Sequence, residues 1–443
     1  MTPPAGRDPG AGRGELSITA TSLDPALLDL PWSTRLEDWP PETIAALPKG
    51  ISRHVVRFAH LGESVIAVKE TVPEMAVREF EILKTLQRLA VPCVEPVAVI
   101  ADRGPDRGAD GGGDLPAALV TRHLRFSLPY RALFAKTLRP ETATRLVDAL
   151  ALLLVRLHVE GFFWGDVSLS NTLFRRDAGA FAAYLVDAET GSLHEEGLSE
   201  RRREHDLEIA RVNVAGEMLD LAAGGRIDDA LDPIAVSDGI VRAYRSLWDE
   251  LTGAQTFEAT ERWRITERVR RLNDLGFDIE ELDIRTDRGG TSVRIQPKVV
   301  DAGHHQRRLI RLTGLDAQEN QARRLLNDLD EYVANHRRPG MSEEMLAHEW
   351  LTDVFEPVVA AVPRELQGKL EPAELFHQLL DHRWYLAQER GADVRLSEAV
   401  RSYIDTVLRH RRDEVTVLNP PTEALVLPMQ GSGADDEDWR DRV

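Results

Sequence analysis

The segment that most constrains this chain is GFFWGDVSLSNTLFRRDAGAFAAYLVDAET, residues 161–190. Asp166 is followed five residues later by Asn171, and an apolar, strand-like stretch begins directly after it. A second strand-like stretch, residues 182–186, ends in Asp187. Two short strands joined by a turn bring the start of the first and the end of the second to the same end of a hairpin. The sequence therefore predicts that Asn171 and Asp187 lie together, with Asp166 close by.

These three side chains have the chemistry of a metal-assisted transfer reaction. Mg²⁺ prefers hard oxygen ligands and takes one or two carboxylates from a protein together with phosphate oxygens. Asp187 and the side-chain oxygen of Asn171 meet that need, and Asp166 could accept the proton of an attacking hydroxyl group. Taken singly, each would be an ordinary turn residue. Their order and their intervening strands favour the functional interpretation.

A lysine within an apolar strand lies upstream of this segment. Lys69 ends the run Val-Ile-Ala-Val-Lys, although the chain has only six lysines among 55 basic residues. Lysine is a compact point charge where arginine is a planar fork, so its use here needs a reason. Ten residues later, Glu79 lies in a stretch that opens at Pro73 and has apolar residues at helical spacing. The alternative is that Lys69 merely extends from a strand edge into solvent.

Taken together, these residues resemble the protein-kinase-like superfamily, in which the catalytic loop has the spacing Asp-x-x-x-x-Asn. The resemblance covers roughly residues 45 to 248 and implies an ATP- and Mg²⁺-dependent site. It assigns the nucleotide phosphates to Lys69, the orientation of Lys69 to Glu79 and the catalytic role to Asp166. It assigns the metal to Asn171 and Asp187. Further nucleotide contacts are implied at Gly50 and Ser52, before the first strand, and at Val120 and Arg122 in the hinge.

Departures from the protein-kinase pattern indicate which branch of the superfamily the chain resembles. Trp164-Gly165 stands where the usual His-Arg precedes the catalytic aspartate, and Asp187-Ala188-Glu189 replaces Asp-Phe-Gly. Both changes are similar to small-molecule kinases. Only 19 residues separate Asp187 from Asp206, the residue that resembles the aspartate supporting the catalytic loop. The chain is closest to lipopolysaccharide-kinase-like (Kdo/WaaP-type) bacterial proteins that carry a C-terminal domain of unknown function.

Two functions follow from this pattern. The first is a kinase that phosphorylates a hydroxyl group of a small molecule, a sugar or a lipid-linked glycan. The second is a nucleotide-binding pseudokinase or scaffold that acts through a protein partner of the C-terminal domain, which the poor glycine loop around Gly50 and the missing His-Arg favour. A protein kinase is a weaker alternative, because the segment after Asp187 leaves little room for docking a protein substrate.

The predicted fold is α+β. A flexible lead at residues 1–24 precedes a bilobal kinase-like domain at 25–248. Its small β-rich N-lobe reaches about residue 122, and its α-rich C-lobe starts at 123. A mostly helical domain with a β-hairpin follows at 249–415, and residues 416–443 form an acidic tail with the composition of a disordered segment.

Charge and composition exclude several classes of protein. A net charge of −19 on 443 residues argues against a chain wrapped in nucleic acid. The single cysteine, Cys93, cannot form a disulfide framework, which favours a reducing compartment. No apolar run approaches the roughly 20 residues that span a bilayer, and the N-terminus lacks the apolar centre of a signal peptide. We therefore expect a cytoplasmic protein without a membrane span.

Overall fold

A computed structural model describes most of the chain. The described residues are 15–22, 24–45, 47, 54–62, 64–107, 113–133, 140–261, 263–286, 292–338 and 340–411. A β-rich lobe, an α-rich lobe and a mostly helical region with a small sheet follow one another in the sequence. This order confirms the predicted α+β architecture. The predicted acidic tail at 416–443 lies outside the described residues.

The first lobe is a five-stranded antiparallel sheet with one helix on its inner face. Pro73 opens that helix at a position where a missing N–H costs nothing. Phe80 and Leu83 are buried on the helix face that packs toward the second lobe. The strands lie in the order β1-β4-β5-β3-β2. The elements are β1 (Ser17–Ala20), β2 (Val56–Leu61), β3 (Ser64–Thr71), α1 (Pro73–Arg88), β4 (Pro96–Ala101) and β5 (Ala117–Arg122).

Strand β1 corrects the prediction that residues 1–24 form a flexible lead. It pairs with the edge of β4, with Ile18 opposite Ile100. The chain then crosses the outer face of the sheet, where Trp32 joins Ile66 in an apolar core. A short edge strand that is mostly exposed does not require alternating apolar residues. The composition of this segment therefore resembles that of a flexible segment. Residues 1–14 lie outside the described part of the chain.

The second lobe is built on three long helices, with short strands at its junction with the sheet. The leucines at 146, 150, 153, 154 and 157 line one face of its first long helix and are buried. The predicted hairpin is present, and its turn has positive φ at Ala178 and Gly179. The elements are β6 (Leu128–Pro129), α2 (Tyr130–Leu133), α3 (Pro140–Val159), β7 (Phe162–Phe163), β8 (Thr172–Asp177), β9 (Ala180–Leu185), β10 (Ser192–Leu193), α4 (Glu200–Ala223) and α5 (Pro233–Thr252).

The C-terminal region contains a three-stranded sheet followed by a helical bundle. The predicted hairpin is present, although its tip, residues 287–291, lies outside the described residues. The helical stretch that starts at Glu343 changes to π-helical geometry at Leu351–Phe355. The elements are β11 (Gln255–Glu258), α6 (Trp263–Asp274), β12 (Phe277–Thr286), β13 (Ser292–Ala302), α7 (His304–Thr313), α8 (Glu319–His336), α9 (Glu343–Trp350), α10 (Glu356–Ala360), α11 (Pro372–Arg390) and α12 (Leu396–Thr406).

The domain boundary predicted at residue 249 falls inside α5. Leu272 of α6 and Phe277 of β12 belong to the same apolar core as Leu251 of α5. Phe257, Val293 and Ile295 form a small separate cluster in the three-stranded sheet, and the larger core of the helical bundle begins with Leu309 in α7. The polar residues after 249 are the end of a helix and a strand whose Phe257 is buried, so the two domains share packing across this boundary. No helix in the described part of the chain is both long and apolar enough to cross a membrane.

Candidate active site

Lys69 lies in a cluster of carboxylates where the two lobes meet. Its Nζ is 3.0 Å from Oε2 of Glu79 on α1. The same atom is 3.0 Å from Oδ2 of Asp187 and 2.8 Å from Oε2 of Glu189, both just after β9. Glu79 is only 1% exposed, and its Oε1 accepts the N–H of Ala188 at 3.2 Å. The pairing predicted for Lys69 and Glu79 is therefore present, and it joins the two lobes.

Burial and charge alter the pKa values in this cluster. Burial lowers the pKa of Lys69, but the carboxylates of Glu79, Asp187 and Glu189 outweigh burial and raise it above its ordinary value. Burial, with the charge of Asp187 added, raises the pKa of Glu79 to about 7, against the attraction of Lys69. Lys69 is thus a fixed cation at neutral pH. It is surrounded by more negative charge than it neutralises.

The same carboxylates form a donor set for a divalent cation. One oxygen each from Glu79, Asp187 and Glu189 lies within 4.8 Å of the others. Val186 N–H donates to the backbone oxygen of Asn171 at 3.1 Å, so the two ends of the hairpin meet as predicted. Hard oxygen donors of this kind suit Mg²⁺ with a phosphorylated ligand. The residues present therefore fit the predicted metal.

Asp166 is held by side-chain amides on both of its oxygens. Asn171 Nδ2 donates to Asp166 Oδ2 and to its backbone oxygen, each at 3.0 Å. Asn213 Nδ2 on α4 approaches Asp166 Oδ1 at 3.3 Å and also donates to Val167 O at 3.1 Å. Because Asn171 uses its amide nitrogen on Asp166, its side-chain oxygen can serve as a metal ligand. The structure therefore places the predicted base and the predicted metal ligands next to each other.

The loop before Asp166 is fixed by a buried aspartate on α4. Asp206 is fully buried and accepts the backbone N–H groups of Trp164 and Gly165, both at 2.7 Å. Its Oδ2 also lies 3.2 Å from His158 Nε2, and His158 Nδ1 lies 2.7 Å from the hydroxyl of Tyr244. Burial lowers the pKa of His158, although Asp206 opposes that shift. Asp206 occupies the supporting position that the resemblance implies, and His158 is part of the same buried network.

Further hydrogen bonds tie this loop to its surroundings. Trp164 is fully buried and donates from Nε1 to the backbone oxygen of Asp187 at 2.8 Å. Thr190 Oγ1 donates to the backbone oxygen of Trp164 at 2.8 Å. Glu217 on α4 accepts the N–H of Ser170 at 2.9 Å. The loop carrying Asp166 is therefore held on one side by the segment that contains Asp187 and on the other side by α4.

The structure gives less support to the predicted nucleotide contacts than to the cluster around Lys69. Val120 lies in mid-strand between Val68 and Ala98, and its side chain is buried in the core on the outer face of the sheet. Because strand side chains alternate, the side chain of Val120 lies on the face opposite Lys69, and the backbone hydrogen bond to adenine that the resemblance implies for the hinge stays a prediction. Arg122 ends β5, with its guanidinium 3.0 Å from Glu95 and 3.2 Å from Ser64 Oγ, and its role stays a prediction. Gly50 and Ser52 lie outside the described residues.

Three residues of the site were not identified from the sequence. His54 Nε2 lies 2.8 Å from Oε2 of Glu189, and Asn213 and Glu217 hold the loop as described above. Asp206, Asn213 and Glu217 occupy positions i, i+7 and i+11 of α4. They form one row along the helix. That row of polar residues beside an apolar face was the available signal.

Two family models match separate parts of the chain. Residues 58–214 match the lipopolysaccharide kinase (Kdo/WaaP) family, and residues 246–408 match a domain of unknown function, DUF4032. These matches confirm the resemblance stated from the sequence. The first range contains Lys69, Glu79, Asp166, Asn171 and Asp187.

Comparisons with individual proteins give less information than the family models. A search of curated sequences found no match. One solved structure, described as WaaP in complex with acyl carrier protein, is 16% identical, with a TM-score of 0.32. The match covers 52% of this chain and 88% of the other. Nothing about function is transferred from this structure at that level of similarity.

Proposed function

We propose that this chain is a phosphotransferase that uses ATP and Mg²⁺ to phosphorylate a hydroxyl group of a small molecule, a sugar or a lipid-linked glycan. The observation that best supports this proposal is the buried Lys69–Glu79 ion pair beside Asp187, with Asp166 held by Asn171. Desolvating charges at a junction between lobes is costly for stability alone. Clustered, perturbed ionisable groups are typical of functional sites.

Each residue of the cluster has a separate role in this proposal. Lys69 binds nucleotide phosphates as a fixed cation, and Glu79 holds Lys69 in position. Asn171 and Asp187 supply oxygen ligands to the metal, with Glu189 as a further carboxylate. When bound, Mg²⁺ would neutralise negative charge on the phosphates. The contribution of the chain is therefore mostly positioning and electrostatic stabilisation.

Asp166 is the group that moves a proton. Its carboxylate accepts the proton of the acceptor hydroxyl as the new bond from that oxygen to the γ-phosphorus of ATP forms, and the bond from this phosphorus to the bridging oxygen breaks to release ADP. The amides of Asn171 and Asn213 fix the plane of the carboxylate, so one of its oxygens can face the acceptor. The proposal needs no further base from the described residues.

The form of the segment after Asp187 supports a small acceptor. The segment is short, because α4 begins at Glu200. Within it, Ser192–Leu193 pairs with β7 and does not extend as a surface on which a peptide could bind. A peptide substrate needs such a surface, whereas a sugar hydroxyl needs only access to Asp166. The family match over residues 58–214 also favours a glycan.

The direct test uses labelled ATP. Purified protein would be incubated with [γ-³²P]ATP, Mg²⁺ and a fractionated cell extract, with and without a metal chelator. We expect label to appear on a non-protein acceptor only when metal is present. A thermal shift with ATP but no labelled acceptor would instead support the nucleotide-binding pseudokinase or scaffold and overturn the proposal.

A further inference from the structure

The turn of the β8–β9 hairpin is held by the C-terminal domain. Asp177, at the end of β8, is only 3% exposed. Its Oδ1 accepts the backbone N–H of Gln321 and its Oδ2 accepts Asn320 Nδ2, both at 2.8 Å. Both donors lie in the first turn of α8, where N–H groups lack partners within the helix. An aspartate of the kinase-like domain thus adds an acceptor at the N-terminus of α8, beside the capping box that Gln318 and Gln321 form within the next domain.

A second buried carboxylate, from α11, completes this contact. Glu374 Oε2 accepts the backbone N–H of Ala178 at 2.9 Å and Gln321 Nε2 at 3.1 Å. Gln321, which is fully buried, also donates to the backbone oxygen of Arg176 at 2.9 Å. The C-terminal domain therefore holds the backbone of the turn itself, which determines where the hairpin lies.

Two further side-chain contacts join the strands of the hairpin to the C-terminal domain. The guanidinium of Arg175 on β8 forms an ion pair with Glu371, just before α11. The hydroxyl of Tyr184 on β9 donates to Gln318 Oε1 at 2.6 Å. Each strand of the hairpin is therefore anchored separately to the C-terminal domain.

The opposite end of this hairpin carries the proposed metal ligands. The strands pair without interruption from Asp177–Ala180 at the turn to Thr172–Leu185 at the open end. Asn171 precedes β8 and Asp187 follows β9, about 20 Å from the turn at roughly 3.3 Å per residue. A continuously paired hairpin transmits displacement of its turn to its open end, because its strands cannot slip without breaking the ladder.

We propose that the C-terminal domain is a positioning element of the active site, and that Gln321 and Glu374 fix the placement of Asn171 and Asp187 through the β8–β9 hairpin. This inference rests on the proposed function. It gives the domain a role within the chain, in addition to any partner that it binds. Gln321 and Glu374 are positioning residues, since neither touches the reacting groups.

The test compares Glu374→Ala with Glu374→Gln. Alanine removes the acceptor for Ala178 N–H, whereas glutamine keeps an oxygen there. Loss of a buried hydrogen bond changes local opening by about tenfold. We expect Glu374→Ala to raise amide exchange across the hairpin by about tenfold, including Val186 N–H at its open end. It should also raise the Mg²⁺ concentration needed for half-maximal nucleotide binding several-fold, and Glu374→Gln should restore both values.

Several outcomes decide the question. Faster exchange confined to the turn, with Val186 and the Mg²⁺ requirement unchanged, would overturn the inference. If Glu374→Ala does not fold, Gln321→Ala replaces it. Gln367→Ala is the control for general destabilisation, because it loses a hydrogen bond from the side-chain amide to Val362 O elsewhere in the same domain. If the unmodified protein binds no nucleotide, the proposed function fails, while exchange at Val186 still tests the coupling.

Discussion

At the scale of single residues, the imbalance of charge around Lys69 is informative. One ammonium group contacts three carboxylates, so negative groups are in excess there, and the charge of Asp187 adds to the rise that burial causes in the pKa of Glu79. A divalent cation would relieve that excess, and phosphates would take over Lys69 from Asp187 and Glu189. The proposed function therefore predicts that a metal–nucleotide pair completes the cluster around Lys69.

Asp166 gives a prediction at the same scale. Asp166→Ala should lower phosphotransfer by roughly 10²- to 10⁴-fold, the usual contribution of a general base. Nucleotide affinity should stay nearly unchanged, because Lys69 and Asp187 remain. Initial rates with labelled ATP and isothermal titration with a nucleotide would separate the two effects. Asp220→Ala, an exposed aspartate of α4, is the matched control, and equal rates in the two variants would exclude Asp166 as the base.

At the scale of elements, the loop before Asp166 needs a left-handed residue. Gly165 has φ of +77°, and a Cβ there would lie 3.0 Å from a Phe163 ring carbon and 3.3 Å from Thr190 O. Gly197 has φ of +79° with nothing within 4 Å of such a Cβ. The two glycines therefore share the backbone requirement and differ only in their surroundings.

This difference predicts unequal effects of the same substitution. Gly165→Ala and Gly197→Ala should each lose roughly 1–2 kcal/mol from left-handed backbone strain. Gly165→Ala should also displace the loop and reduce turnover more than Gly197→Ala does. Chemical denaturation and initial rates on both variants measure the two effects. Equal loss of activity would mean that the space around Gly165 is not critical.

Asp206 supports the same loop from α4. Asp206→Ala leaves the N–H groups of Trp164 and Gly165 buried without acceptors, at about 1–3 kcal/mol each. We expect a loss of about 2–5 kcal/mol in the free energy of unfolding, measured with urea. Asp238→Ala on α5, which loses only a partly exposed ion pair with Arg211 at 3.7 Å, should change it by no more than about 0.5 kcal/mol. A comparably small effect at Asp206 would mean that the loop finds other acceptors.

The elements also show what could be predicted from the sequence. The positions of Lys69, Glu79, Asp166 and Asn171 follow from local spacing and from strands and helices with clear patterns. The face on which the side chain of Val120 lies could not be predicted, because a buried central strand is apolar on both sides and its alternation is invisible. Contacts between α4 and the loop join residues more than 40 positions apart, and no local pattern specifies them.

At the scale of the whole molecule, the two family segments are not independent units. Apolar residues on both sides of residue 249 share one core, and the turn of the hairpin is bound by α8 and α11. Neither feature could be predicted, because shared packing and buried polar contacts between distant segments leave no local signature. Asp177 is the group that makes this junction sensitive to pH.

Burial raises the pKa of Asp177 from 3.8 to about 6, with Glu374 adding to the rise, and hydrogen bonds from Gln321 and Asn320 only partly offset it. Between these two values the folded protein retains a proton that the unfolded chain has lost. The free energy of unfolding therefore falls as pH rises from about 4 to 6, by about 3 kcal/mol from this group.

Asp177→Asn should remove that part of the pH dependence. The variant should be less stable than, or similar to, the unmodified protein at pH 4, and should gain about 3 kcal/mol relative to it by pH 6.5. Urea denaturation at four or five pH values, followed by tryptophan fluorescence, measures the difference. Asp220→Asn is the control, because its side chain is exposed and away from the junction. A constant difference across this range would show that Asp177 is ionised in the folded protein throughout, and that the junction is more open to water than its burial indicates.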